Sequence, residues 1–206
     1  MRRKRLIPLA LAALAGLGVT ALILGGAGHQ ARAVELPAVA NDMAAAFALP
    51  AVPDSELPDA VTQGQQDLPR PGTALPNQTR RIARGLGKNA VDVYLFPTTQ
   101  GKVCEVITET TSMGTCVPSF HLLKGEVASS VYSGETAPQT VTGLVSNRVA
   151  AVSVRVRDQL EPVAVVRNAF FWQAPTSDLT RGDIKGLVVR WHGGRTFDVN
   201  LDFGDP

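Results

Sequence analysis

Cys104 and Cys116 are the only thiols in a chain of 206 residues, and both lie in the stretch GKVCEVITETTSMGTC. A thiol serves as a nucleophile or metal ligand where a neighbouring cation or base lowers its pKa. A pair of thiols instead closes a disulfide where the compartment is oxidising. Cys104 sits in the alternating run Val103–Ile107, which reads as a strand, and Cys116 precedes Val117-Pro118. Between them, Thr108 to Thr115 is polar and turn-prone and carries Gly114. The pattern predicts a hairpin with one cysteine on each arm. A Cys104–Cys116 bridge across it would contribute roughly 3 kcal/mol through loop closure.

The competing chemistry is a thiol enzyme. Thr115-Cys116 on a strand of a membrane-tethered β protein superficially resembles sortase, whose nucleophile ends a TLxTC motif. Ser112-Met113-Gly114-Thr115-Cys116 matches only the last two positions, and that chemistry needs a histidine well upstream. The histidines here are His29, His121 just after Cys116, and His192 in a turn. Ser112, Gly114 and Cys116 likewise miss the SHGC spacing of L,D-transpeptidases. Without a Cys/His cluster there is no zinc site to read. No Gly-x-Ser-x-Gly, Ser-x-x-Lys, phosphate-cradling glycine loop or acidic Ca²⁺ loop occurs, so no cofactor is implied. An envelope enzyme would have to assemble its site from scattered residues such as His121, Asp92 and Glu105.

Two groups of residues suit partner binding. Arg80, Arg81, Arg84 and Lys88 follow Thr79, with Ile82 and Leu86 between them. Read as a short helix over Thr79 to Leu86, the cations share one side and could meet an anionic surface, whether lipid headgroups or a wall polymer. The bland reading is a solvated face. Phe170, Phe171 and Trp172 form the densest aromatic patch. Exposed, Phe171 and Trp172 would stack on a sugar or grip a partner; buried, they mark a strand through the core.

The ends of the chain set where these residues are delivered. Residues 1–5 read MRRKR, and Leu6 to Ala27 follows as 22 residues without a charge. That length suffices to cross a hydrocarbon core, and the basic cluster stays on the cytoplasmic side. Ala31-Arg32-Ala33 is an A-x-A cleavage signature. A single-pass anchor with its N-terminus inside and a secreted protein cut near Ala33 are both compatible with it, and both place the remainder outside the cell. Formal charge is +2, yet without Arg2, Arg3, Lys4 and Arg5 there are 16 basic residues against 18 acidic ones. Such a domain carries no electrostatic footprint for nucleic acid. The partners expected are an unidentified protein or envelope polymer, and the membrane through the N-terminal helix.

Residues 28–78 hold seven of the fourteen prolines and read as a tether, interrupted by a short helix over 42–49 that ends at Pro50. From 79 to 204 the pattern is that of strands. Val91–Phe96 alternates up to Pro97, Val152, Val154 and Val156 share a face, and Glu161 to Phe171 is one long β-branched and aromatic run. Leu187–Trp191 and Phe197–Leu201 form a hairpin. Their apolar faces match only with a three-residue loop, His192-Gly193-Gly194, which sets Val189 opposite Phe197 and Gly194 in the left-handed region. The fold class expected is mainly β: a small antiparallel β-sandwich, Ig-like or similar, after a transmembrane or signal helix and a Pro-rich tether.

Several landmarks recur in order: Phe47-Ala48-Leu49-Pro50 with Asp54 and Leu57-Pro58, Val93-Tyr94-Leu95-Phe96-Pro97, and Val103-Cys104 with Gly114-Thr115-Cys116. Then come Val141-Thr142-Gly143-Leu144-Val145, Val149-Ala150-Ala151-Val152, Asn168-Ala169-Phe170-Phe171 and Gly186-Leu187-Val188-Val189. The order resembles a group of uncharacterised exported actinobacterial proteins with an N-terminal membrane segment and a disulfide-bearing β domain. Where this chain has Val145-Ser146-Asn147-Arg148, that group often carries a Pro-Asp turn. The resemblance implies fold and location, and no mechanism.

Overall fold

A computed structural model describes residues 35–67, 72–108, 114–132 and 139–201. The N-terminal apolar segment and the A-x-A signature lie outside the described residues. Among the described residues no helix is long and apolar enough to cross a membrane.

The described residues are mainly β, with twelve strands in three antiparallel four-stranded sheets. The first sheet runs in the order β1 (Arg80–Leu86), β2 (Val91–Pro97), β3 (Val103–Ile107), β4 (Cys116–Val117). The second joins β5 (Val127–Tyr132) and β6 (Thr140–Val145) to β10 (Ala169–Gln173) and β9 (Val165–Val166). The third orders β12 (Thr196–Val199), β11 (Ile184–Trp191), β7 (Val149–Val156) and β8 (Gln159–Val163).

Side-chain alternation makes the second sheet the middle of a stack. Val141, Val145, Phe170 and Trp172 join one core with Val152, Val154, Leu187 and Val189 of the third sheet. Their neighbours on the opposite face, Leu144 and Ala169, join another core with Ile82, Val93, Leu95 and Ile107 of the first. On the outer face of the first sheet, Tyr94, Phe96, Cys104 and Val106 are covered by Val61 of helix α2 (Asp59–Asp67), with Leu57 and Ala74 alongside. β3 and β6 are therefore buried at every position. β7 buries Val152, Val154 and Val156 and leaves the intervening side chains half-buried, the half-buried alternation read from its sequence.

The hairpin register is as predicted: Val189 faces Phe197, Leu187 faces Val199, and Gly194 takes φ +82°. The long run Glu161 to Phe171 is not one strand. It breaks at Ala164, where the chain leaves the third sheet for the second, and again at Arg167-Asn168, whose φ values of +48° and +67° close a two-residue turn between Val166 and Ala169. Local β propensity continues through both breaks; the sheet each segment pairs with decides them.

The described residues before 79 are also folded, from residue 35 onward, and pack on the first sheet. Prolines read as tether composition stand at helix starts instead: Pro37 precedes a 3-10 turn at Ala38–Met43, Pro53 precedes another at Asp54–Glu56, and Pro58 precedes α2. The short helix α1 (Ala44–Phe47) follows the first turn, and Val39, Ala40, Met43 and Ala46 are buried on the domain with Phe47 and Leu49 packed beside them. Its N–H groups lack a local cap, so two distant asparagines supply the acceptors. Asn147 Oδ1 accepts from Ala44 N at 3.0 Å, and Asn168 Oδ1 accepts from Ala46 N at 3.2 Å. Asn147 also donates to Asn41 O, and Asn168 to Val145 O. Replacing buried Asn168 by Ala leaves these groups unpaired and removes a side chain suited to positive φ. The expected loss is roughly 1–3 kcal/mol, with faster amide hydrogen exchange at Ala46.

Candidate functional site

Cys104 and Cys116 are paired, with Cα atoms 4.0 Å apart directly across β3 and β4. The Cys104 side is fully buried against Tyr94, Phe96 and Val61. No free cysteine remains, so thiol chemistry has no nucleophile.

The scattered enzyme site does not assemble. Glu105, on the opposite face of β3 from Cys104, is completely buried between the first and second sheets. Burial pushes its carboxyl up to about 8, against a smaller opposing pull from the Thr142 hydroxyl 2.7 Å away. Asp92 lies near the free edge, 3.8 Å from Arg81, where its Oδ1 accepts from Gly85 N at 3.0 Å. His121 is largely exposed and 3.8 Å from Asp42. Three separate environments hold these groups, each with its own partner. Among the described residues no cluster of His, Cys, Asp or Glu could hold a metal ion.

Nor are the aromatics a surface. Trp172 is buried between the second and third sheets, its indole N–H donating to Glu161 Oε2 at 2.8 Å. Phe171 points to the other side, half-buried, with its ring edge where a Cβ on Gly87 would stand. Both touch a shallow hollow of about 330 Å³ beside Leu86, Lys88 and Pro162. The arrangement is that of a core strand.

The basic residues correct the helix expected over Thr79 to Leu86: Arg80, Arg81 and Arg84 lie on strand β1, at the edge of the first sheet, and Lys88 lies in the turn that follows it. The i, i+3 spacing of cations suits a helix, but pairing with β2 wins. Two irregularities in that pairing, between Arg81 and Ala83 and between Ala83 and Leu86, re-aim the side chains. Arg80 turns inward and is buried. Its guanidinium donates to Gln78 O at 2.6 Å and lies 5.7 Å over the Phe47 ring, and burial lowers its pKa. Lys88 donates to Pro175 O. Arg81 and Arg84 remain outward, and Arg84 is exposed.

Those two arginines line a groove of about 540 Å³. The opposite wall is the segment Leu49 to Pro53, held in place by Val52 N donating to Thr79 O at 2.8 Å. A third cation, Arg167, enters from the β9–β10 turn, and its guanidinium donates to Ile82 O at 3.1 Å. The bonds at Thr79, just before β1, and at Ile82 within it occupy carbonyls along that edge, which leaves less of it for an added strand. The groove thus combines an apolar wall with three guanidiniums, one partly compensated by Asp92, and Glu56 at one end. Its lining sets positive charge beside aliphatic surface.

Sequence reading missed Arg167 and the 49–53 wall. Arg167 sat inside what looked like one strand, and the wall inside what looked like a linker; no local signal brings either to β1. No family model, curated protein or solved structure matches this chain.

Proposed function

We propose that this is an extracytoplasmic, non-enzymatic binding protein of the cell envelope. It is held at the membrane by its N-terminal segment or secreted after cleavage near Ala33. Its second and third sheets serve as the Ig-like sandwich read from the sequence, and the first sheet with its docked helices carries the binding edge. The observation that supports this reading is the open groove between Leu49–Pro53 and β1. The versatile groups elsewhere are committed to structure: the cysteines to a bridge, Glu105 to a buried hydrogen bond, and Glu126 to Ser146 and Arg148. The basic N-terminal end followed by 22 uncharged residues supports export, and a disulfide persists where export leads.

The test is made on the full chain in a bacterial host. External protease added to spheroplasts should digest the domain, and maleimide alkylation without reductant should find neither thiol. Two alkylated thiols together with complete protease protection would place the domain in the cytoplasm and end this reading.

A further inference from the structure

The groove's chemistry can be taken further, and the step rests on the envelope-binding reading. Arg81 and Arg84 come from one sheet and Arg167 from a turn of the next, so the groove gathers guanidiniums from two separate elements. A carboxylate is planar and is satisfied by one guanidinium edge-on. A tetrahedral phosphodiester presents its oxyanions out of a single plane, so guanidiniums converging from two elements can share it. Along β1, Arg81 and Arg84 are separated by no more than roughly 10 Å of strand, the scale of neighbouring charges on a linear polymer. The facing wall of Leu49, Pro50, Ala51, Val52 and Pro53 offers aliphatic contact to the carbon backbone between the charges. It has no aromatic platform for bases, which single-stranded nucleic acid would need.

We infer that the groove binds a linear polyol-phosphate polymer, with Arg84 and Arg167 as its principal phosphate contacts. Arg81 contributes less, because Asp92 stands 3.8 Å from it. Attraction between these guanidiniums and a polyanion should be strongly salt-dependent.

The experiment is a binding titration of the folded extracytoplasmic chain at about 50 mM salt with a synthetic glycerol-phosphate oligomer. Parallel arms contain poly-glutamate, a single-stranded oligonucleotide, and vesicles of phosphatidylglycerol. Preferential binding of the glycerol-phosphate oligomer is expected. Arg84→Glu should weaken it at least tenfold, whereas Arg190→Glu, an equal charge change on the third sheet, should leave it within twofold. Arg84→Gln, with its thermal midpoint checked, guards against a folding artefact and should weaken binding severalfold. Absence of oligomer binding, equal binding by Arg84→Glu, or a preference for poly-glutamate, oligonucleotide or vesicles would overturn the assignment. Such a result with the domain still protease-accessible outside the cell would leave the envelope-binding reading standing.

Discussion

Glu105→Gln should make the protein more stable at pH 8 than the natural chain, by a few kcal/mol, and should abolish most of its alkaline sensitivity. The Glu105 side chain is fully buried between two sheets, and its Oε2 has no hydrogen-bond partner. Thr142 Oγ1 lies 2.7 Å from Oε1 and 3.2 Å from Phe170 O. A protonated carboxyl can donate to Thr142, which in turn donates to the Phe170 carbonyl; an ionised one competes with that carbonyl for the single hydroxyl proton. Facing it from β5 is Tyr132, whose hydroxyl donates to Gly114 O at 2.7 Å and whose own pKa is raised, chiefly by burial.

The direction with pH follows from the two states. Unfolded, Glu105 ionises near its ordinary 4.5; folded, it holds its proton up to about 8. The folded state therefore binds more protons between those values. Stability is fully present below the lower one, falls as pH rises through the interval, and levels off above the higher one. The loss across the interval is on the order of a few kcal/mol. Glutamine cannot ionise and can still donate to Thr142. Urea titrations at pH 5, 6.5 and 8 should show a falling midpoint for the natural chain and a nearly level one for Glu105→Gln. Parallel pH trends in the two would sink the argument.

Gly143→Ala carries the second large effect. Gly143 lies in the middle of β6, where a Cβ would stand 2.2 Å from Ala128 O on the paired strand β5 and 2.7 Å from the Phe170 ring. The backbone oxygen cannot swing aside as a side chain would, and Phe170 is buried in the core between the second and third sheets. The methyl must force β5 from β6 or the ring from its seat, at an expected cost of about 3 kcal/mol or more. Gly193→Ala is the control: nothing lies within 4 Å of that position in the exposed turn, and its effect should stay within about 0.5 kcal/mol. Equal denaturation midpoints for the two variants would show that the middle sheet is looser than its packing implies.

Some of the molecule was legible from local chemistry. The Cys104–Cys116 hairpin follows from alternation on one arm, a polar turn and a short loop, and the Gly194 turn from matching two apolar faces. A short helix before Pro50 was legible for the same reason, since its apolar residues and stop lie within one short window; its start was not, because the turn begins at Ala38 and distant asparagines cap the helix.

The pattern was less informative wherever two structures share it. Arg80 to Leu86 satisfies a helical face as well as a strand, and hydrogen bonding to β2 settles the matter. Tether composition and a series of docked 3-10 turns both contain many prolines, and only the apolar surfaces of the first sheet decide whether they find burial, its outer face for Val61 and the core it shares with the second sheet for Met43.

By itself, then, the sequence determined the β character of the chain, several of its strands, the staple, the Gly194 turn and the charge of each segment, because these depend on residues near one another in the chain. Tertiary structure alone decided the three-layer stack, the burial of Glu105 and the meeting of Arg81, Arg84 and Arg167 with the Leu49–Pro53 wall. Those depend on which sheet packs against which, and that is set by contacts between residues dozens of positions apart, whose partners no local period specifies.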